Sequence, residues 1–316
     1  MQHSRDIGWI SSAPRLMVFN IYRFIAYLVL SSTLSSCSTT PTPSQRLFNA
    51  QESASAHNWK PTTLKSEPFN LIAFVPKTIV KNSVLTVYIE GDGLAWISSH
   101  KPSIDPTPIN PVGLKLALSH HNGNAAYLAR PCQYISDTQC ETKYWTSHRF
   151  SSEVLDASNE AVDKLKHLYS AQQLVLVGYS GGGAVATILT TQRDDVVKLI
   201  TVAGNLDHKA WTDLHHISPL TGSLNPADYR EQLAQVEQVH FVGEDDTVIP
   251  PFLANDFVAN LPISSHAKVI VVRGQSHGCC WARTWVSLLE NIDTLINIKL
   301  YPVSPKWKGR EGAVLE

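Results

Sequence analysis

Ser180 lies in Gly178-Tyr179-Ser180-Gly181-Gly182, a G-x-S-x-G pattern. The apolar run Leu174-Val175-Leu176-Val177 precedes it, and the small-residue stretch Gly183-Ala184-Val185-Ala186 follows. A buried strand that turns sharply into a helix holds such a serine on a corner, with its hydroxyl exposed at the carboxyl edge of a sheet. Flanking glycines suit that turn, which leaves no room for side chains and needs unusual backbone angles. A serine hydroxyl is a weak nucleophile at neutral pH, so acyl transfer through it needs a base and an acid that orients the base.

Both are available after Ser180. The apolar run Val239-His240-Phe241-Val242 leads into Gly243-Glu244-Asp245-Asp246-Thr247-Val248-Ile249-Pro250. An acid three residues after the glycine, ahead of apolar residues and a proline, makes Asp246 the first choice. Asp245 is the alternative and Glu244 the third. The run 268–272 is followed by Arg273-Gly274-Gln275-Ser276-His277-Gly278. A histidine in the loop after the last strand reaches back to the serine, so His277 is the expected base, taking the Ser180 proton and returning it to the leaving group.

The negative charge that develops on the acyl oxygen needs hydrogen-bond donors. Gly181 N–H is one. The other should come from Glu90-Gly91-Asp92-Gly93, after the run 84–89: the N–H of Asp92, or that of Gly93. The Asp92 carboxylate would repel an oxyanion, so its side chain is expected to turn away.

These residues together resemble the α/β-hydrolase superfamily, over roughly residues 68–298. The first loop departs from the His-Gly-Gly-Gly or His-Gly-x-Pro pattern of many members, having Glu90-Gly91-Asp92-Gly93 instead. The resemblance implies a serine hydrolase acting through an acyl-enzyme, with a carboxylic ester as the expected bond and a thioester or peptide as alternatives. The competing class is a non-enzymatic protein that binds an apolar ligand or a partner, because a fold does not guarantee activity.

The elements that must position these groups alternate. Apolar runs at 71–75, 84–89, 125–129, 174–177, 196–202, 239–242 and 268–272 read as strands. The segments 112–119, 153–169 and 281–296 read as helices. Such alternation predicts an α/β fold, a mainly parallel central sheet with helices on both faces. Sites in these folds lie outside the carboxyl ends of the strands, where the three candidates fall. Residues 94–111 and 204–227 are expected to wall the site, with Trp96, Tyr144, Trp145 and Trp211 as candidate apolar surfaces. No segment carries a dense cluster of positive charge beside these strands, which favours an uncharged, small-molecule acyl substrate. Short to medium esters in an open pocket are expected.

At the amino end, Arg23 precedes the apolar run 24–30, too short to span a bilayer. It reads as a secretory signal, starting at Met1 or Met17. Leu34-Ser35-Ser36-Cys37 resembles a bacterial lipobox, implying cleavage before Cys37 and acylation of that cysteine. Ser38 after it resembles outer-membrane sorting, facing the periplasm. The expected organisation is a signal at 1–36, a lipid-anchored tether at 37–67 and a hydrolase domain at 68–316. Losing residues 1–36 would remove Arg5, Arg15, Arg23 and Asp6 and change the formal charge from −1 to −3. No basic run suggests nucleic acid. No C-x-x-C or H-E-x-x-H spacing suggests a metal, His215 and His216 included, and no cofactor is implied. The cysteines other than Cys37, namely Cys132, Cys140, Cys279 and Cys280, allow three disulfide pairings in an oxidising compartment.

Overall fold

The computed structural model describes residues 40–295; Cys37 and the expected signal lie outside them. Eight strands form one sheet: β1 (Trp59–Lys65), β2 (Asn70–Pro76), β3 (Val84–Ile89), β6 (Asn124–Leu128), β7 (Gln173–Tyr179), β8 (Val196–Val202), β9 (Glu237–Gly243) and β10 (Ala267–Val272). Their spatial order is β1-β2-β6-β3-β7-β8-β9-β10. The β1–β2 and β2–β6 pairs are antiparallel and the remaining five are parallel. Two short strands, β4 (Trp96–Ser98) and β5 (Lys101–Pro102), pair as a separate hairpin.

Central strands read as unbroken apolar runs because both their faces are covered. Leu71, Ala73 and Val75 of β2 join the core on one face, with Val154, Leu155 and Leu165 of α3 (Ser152–Tyr169) and Ala184, Val185 and Ile188 of α4 (Gly181–Thr191). Phe74, Tyr88 and Tyr127 join the core on the other face, with Leu114 and Leu116 of α2 (Val112–Leu118) and Trp281 and Trp285 of α6 (Trp281–Leu295).

The expected tether differs. Residues Pro43–Ala56 form a helix, α1, and Trp59–Lys65 form β1, so the described fold includes residues ahead of 68. The Thr42 hydroxyl caps α1 by accepting from Gln45 N–H at 3.2 Å, and Pro43 occupies the first turn, where no amide donor is needed. The helix buries Arg46, Ala50 and Ala54, spaced four apart on one face. Arg46 donates to the carbonyls of Thr107 and Asp105 and pairs with the Asp105 carboxylate at 3.4 Å. It thereby ties α1 to the segment after β3.

The long connectors carry structure of their own. Residues 94–111 contain the β4–β5 hairpin, and 204–227 contain α5 (His208–Leu214). The four cysteines pair as Cys132–Cys140 and Cys279–Cys280. Among the described residues no helix is long and apolar enough to cross a membrane.

Candidate active site

Strand β7 delivers Ser180 to the head of α4 with φ 51° and ψ −121°, a positive-φ conformation that costs a non-glycine residue about 1–3 kcal/mol. Neighbouring backbone holds it there. Ser180 N–H donates to Val202 at 3.0 Å, and its carbonyl accepts from Gly183 and Asn205. The glycines on either side are required by close approach. A Cβ on Gly178 would lie 2.2 Å from the Gly182 carbonyl oxygen, and one on Gly182 would lie 2.3 Å from that of Ile89.

Ser180 Oγ lies 2.9 Å from His277 Nε2, and His277 Nδ1 lies 2.9 Å from Asp246 Oδ2. An ionised carboxylate only accepts, so Nδ1 carries the proton and Nε2 is free to accept from the serine. The Asp246 side chain is fully buried. Its second oxygen accepts from the N–H groups of Val248 and Ile249, at 2.9 and 2.8 Å, which fixes the carboxylate plane. Asp245 and Glu244 are exposed, and Asp246 is the acid of the three that reaches His277. The histidine loop is held from below. Tyr179 Oη donates to the His277 carbonyl at 3.0 Å, and Trp281 Nε1 donates to the same oxygen at 3.1 Å.

The first loop passes directly beside the serine. A Cβ on Gly91 would lie 3.2 Å from Ser180 Cβ. Glu90 anchors this loop from inside, accepting from Gly91 and Gly113 N–H with Oε1 and from Leu114 N–H with Oε2. Burial pushes the Glu90 carboxyl pKa up, against the pull of these donors. Gln133 adds a bond from its amide to the Gly91 carbonyl at 2.9 Å. Gly181 opens α4, so its N–H lies outside the helical ladder and is available at the positive end of the helix dipole.

The Asp92 carboxylate is turned to two arginines and lies against Gly181. A Cβ on Gly181 would lie 2.1 Å from Asp92 Oδ1, so the carboxylate rests on the Gly181 backbone. Two buried arginines explain how it can. Arg130 Nη1 reaches Oδ1 at 3.2 Å and Arg149 Nη1 reaches Oδ2 at 2.6 Å. Burial alone would raise the Asp92 pKa, but Arg149 and Arg130 bring it below the ordinary value. Unit charges about 4 Å apart at an effective dielectric near 20 interact by about 4 kcal/mol. That is comparable to the roughly 3–4 kcal/mol supplied by one oxyanion donor, so an uncompensated carboxylate here would cancel a donor.

Arg130 and Arg149 both reach Asp92. They lie 19 residues apart and form no basic run, yet both converge on the serine corner. Arg130 stands two residues past β6, at the carboxyl edge where sites gather, and that position was the available signal.

The four aromatic candidates separate. Trp145 is buried and donates its indole N–H to Ser103 at 3.0 Å, so it packs the core and does not wall the site. Tyr144 packs edge-on against Phe69, and Trp96 is exposed on the β4–β5 hairpin. Trp211 donates to the Val248 carbonyl at 2.8 Å, two residues past Asp246, and its ring lies 6.0 Å from the Arg149 guanidinium. It is the aromatic that connects the acid loop to the Asp92 cluster. A cavity of about 700 Å³ lined by Val84, Thr86, Val175, Val197 and Ala267 opens at the amino ends of the parallel strands, away from Ser180.

The strand order, the serine corner and the acid and histidine loops define an α/β-hydrolase fold. Residues 111–277 match the family described as Serine hydrolase (FSH1), and the chain belongs to it. Solved structures share the fold. An alpha-beta serine hydrolase homologue from Coxiella burnetii is 16% identical, with a TM-score of 0.53 over 75% of this chain and 97% of that one. Est1E from Butyrivibrio proteoclasticus is 14% identical, with a TM-score of 0.51 over 73% and 98%. The acylaminoacyl peptidase of Pyrococcus horikoshii is 14% identical, with a TM-score of 0.57 over 79% of this chain and 43% of the peptidase. No curated protein matches the sequence.

Proposed function

We propose that this serine hydrolase cleaves carboxylic esters of small acyl groups, with Ser180 as nucleophile, His277 as general base and then acid, and Asp246 as the group that orients His277. The observation that carries this reading is the continuous hydrogen-bonded line from Ser180 Oγ through the His277 ring to the buried Asp246 carboxylate. Attack of Oγ on the acyl carbon forms the C–O bond as its proton passes to Nε2. Collapse of the tetrahedral intermediate expels the alcohol, which takes that proton. Water then repeats the sequence on the acyl-enzyme. The N–H groups of Gly181 and of Asp92 or Gly93 receive the oxyanion.

An ester is favoured over a peptide because resonance makes the amide carbonyl harder to attack, and its nitrogen must be protonated before it can leave. A panel of p-nitrophenyl esters of increasing chain length, run beside a thioester and a peptide anilide, tests the assignment. Turnover of the short esters that Ser180→Ala abolishes supports it. Turnover of the anilide or thioester alone would move the enzyme to another bond class, and rates that climb to long chains with interfacial activation would make it a lipase.

The protein is further proposed to be anchored in a bacterial envelope by acylation at Cys37. The apolar run 24–30 and the lipobox-like Leu34-Ser35-Ser36-Cys37 support this. An intact mass showing a lipidated chain that starts at Cys37 is expected, and an unlipidated mature chain starting elsewhere would refute it.

A further inference from the structure

Beside the serine corner the structure holds a charge cluster that the Ser180–His277–Asp246 line does not use. Asp92 lies on the Gly181 backbone, where a Cβ would come within 2.1 Å of its carboxylate. Arg130 and Arg149 each contact one of its oxygens, at 3.2 and 2.6 Å. Both guanidiniums are buried, with side chains 5% and 7% exposed, while Asp92 is more open at 18%. The arginines therefore stand behind the carboxylate and are not presented to a ligand.

The two arginines are themselves fixed. Arg130 donates Nη2 to the Arg149 carbonyl and Arg149 donates Nε to Thr146 at 2.7 Å. Phe150 lies under Arg130 at 5.4 Å and Trp211 lies 6.0 Å from Arg149. Two cations face one carboxylate, and Arg130 Nε has no hydrogen-bond partner among the described residues. Glu90, on the same loop, is turned to the N–H groups of Gly113 and Leu114 and does not contact either arginine side chain through a hydrogen bond.

We infer that Arg130 and Arg149 are positioning residues for acyl transfer: they hold the Asp92 carboxylate on Gly181 and cancel its charge, so that the oxyanion formed beside it is stabilised and not repelled. The inference deepens the reading of Ser180 as nucleophile and rests on it. When Oγ bonds to the acyl carbon, the carbonyl π pair moves onto oxygen and the serine proton moves to His277, so one full negative charge appears at the donors next to Asp92. A carboxylate in that position is tolerable only if its own charge is already neutralised. The clamp also fixes the Gly91–Gly93 backbone, and with it the N–H of the first loop. A merely structural ion pair would stabilise the fold without distinguishing the planar ester from its tetrahedral, anionic adduct.

The test compares wild type, Arg149→Met, Arg149→Lys and the double variant Asp92→Asn/Arg149→Met. The readouts are kcat and KM on p-nitrophenyl acetate, and the affinity for phenylboronic acid, which bonds to the serine oxygen as a tetrahedral anion. Arg149→Met is expected to lower kcat by about 10- to 100-fold with KM within about threefold, and to weaken boronate binding by a similar factor. Adding Asp92→Asn should restore most of the lost boronate affinity, because the carboxylate then faced by Arg130 alone is gone. Arg149→Lys keeps the charge and should weaken boronate binding only about three- to tenfold.

Unchanged kcat and boronate affinity in Arg149→Met, or a double variant worse than the single, would overturn the inference. Should Arg149→Met not fold, Arg149→Lys with wild-type boronate affinity at an unchanged melting temperature would overturn it equally. Fluorophosphonate labelling of wild type separates the two levels. No label at Ser180 removes the nucleophile assignment and this inference with it, whereas a labelled Ser180 with an indifferent Arg149 removes this inference alone.

Discussion

The hydroxyl of Tyr179 donates to the backbone carbonyl of His277 at 3.0 Å, so the residue before Ser180, the proposed nucleophile, holds the loop that carries His277. The two rings lie 5.5 Å apart, and Tyr179 is buried. One residue of the serine corner thus sets the height of the imidazole over Ser180. Tyr179→Phe keeps the ring and removes that bond. It should lower kcat by roughly three- to tenfold and stability by about 1 kcal/mol, the usual net worth of a neutral hydrogen bond. Steady-state kinetics beside a denaturant titration checks both numbers. Wild-type kcat in Tyr179→Phe would mean that Trp281 alone holds the loop.

Asp246 and Asp245 are neighbours in sequence with opposite surroundings, one buried against His277 and the other exposed. Asp246→Asn should cost about 10²- to 10⁴-fold in kcat, because an amide no longer favours the Nδ1–H tautomer or the imidazolium. Asp245→Asn should stay within about twofold of wild type. Kinetics on a single ester for both variants decides it, and a larger loss in Asp245→Asn would displace the acid assignment.

His240 is fully buried between Thr201 and Phe257, with Nδ1 2.9 Å from the Thr201 hydroxyl. Burial lowers its pKa from 6.5 to about 3. The unfolded chain binds this proton below about pH 6.5 and the folded chain does not until about pH 3. Stability is therefore full above pH 6.5 and is lost as pH falls through that window. One such group steepens the acid limb by up to about 1.4 kcal/mol per pH unit. His120 and His208 are lowered in the same sense, chiefly by burial. His240→Leu should flatten the limb between pH 6.5 and 4, whatever it does to stability at pH 8. Urea titrations at several pH values measure that slope, and an unchanged slope would contradict the account.

Arg46 binds α1 to the segment that follows β3, through Thr107 and Asp105. Arg46→Met should destabilise the protein by about 1–3 kcal/mol, since buried acceptors lose a charged donor. Hydrogen exchange should quicken in α1 and across residues 103–107 and stay slow in β7. Uniform protection in the variant would show that α1 docks without this side chain.

Much of the sheet was legible because parallel strands covered on both faces read as unbroken apolar runs, as β6 and β7 do. Ser180 and His277 were legible because each follows such a run at its carboxyl end. What escaped the sequence has physical causes. Helix α1 buries an arginine and two alanines, so its core face carries almost no hydrophobic signal, and the small polar residues around it resemble a linker. Strand β1 alternates weakly, with Trp59 and Leu64 as its buried apolar side chains. The surroundings of Asp92 were not legible because its two counter-charges arrive from residues 130 and 149, a convergence that only the fold creates. The disulfide pairing depended in the same way on which cysteines the fold brings together.

The central claim is that Ser180 is an activated nucleophile, and covalent labelling with a fluorophosphonate measures that directly. The wild-type protein should take up one label, located by peptide mass spectrometry at Ser180, while His277→Ala should label at least a hundredfold more slowly and Ser180→Ala not at all. Labelling at another serine, or a folded wild-type protein that Ser180 leaves unlabelled, would contradict the account.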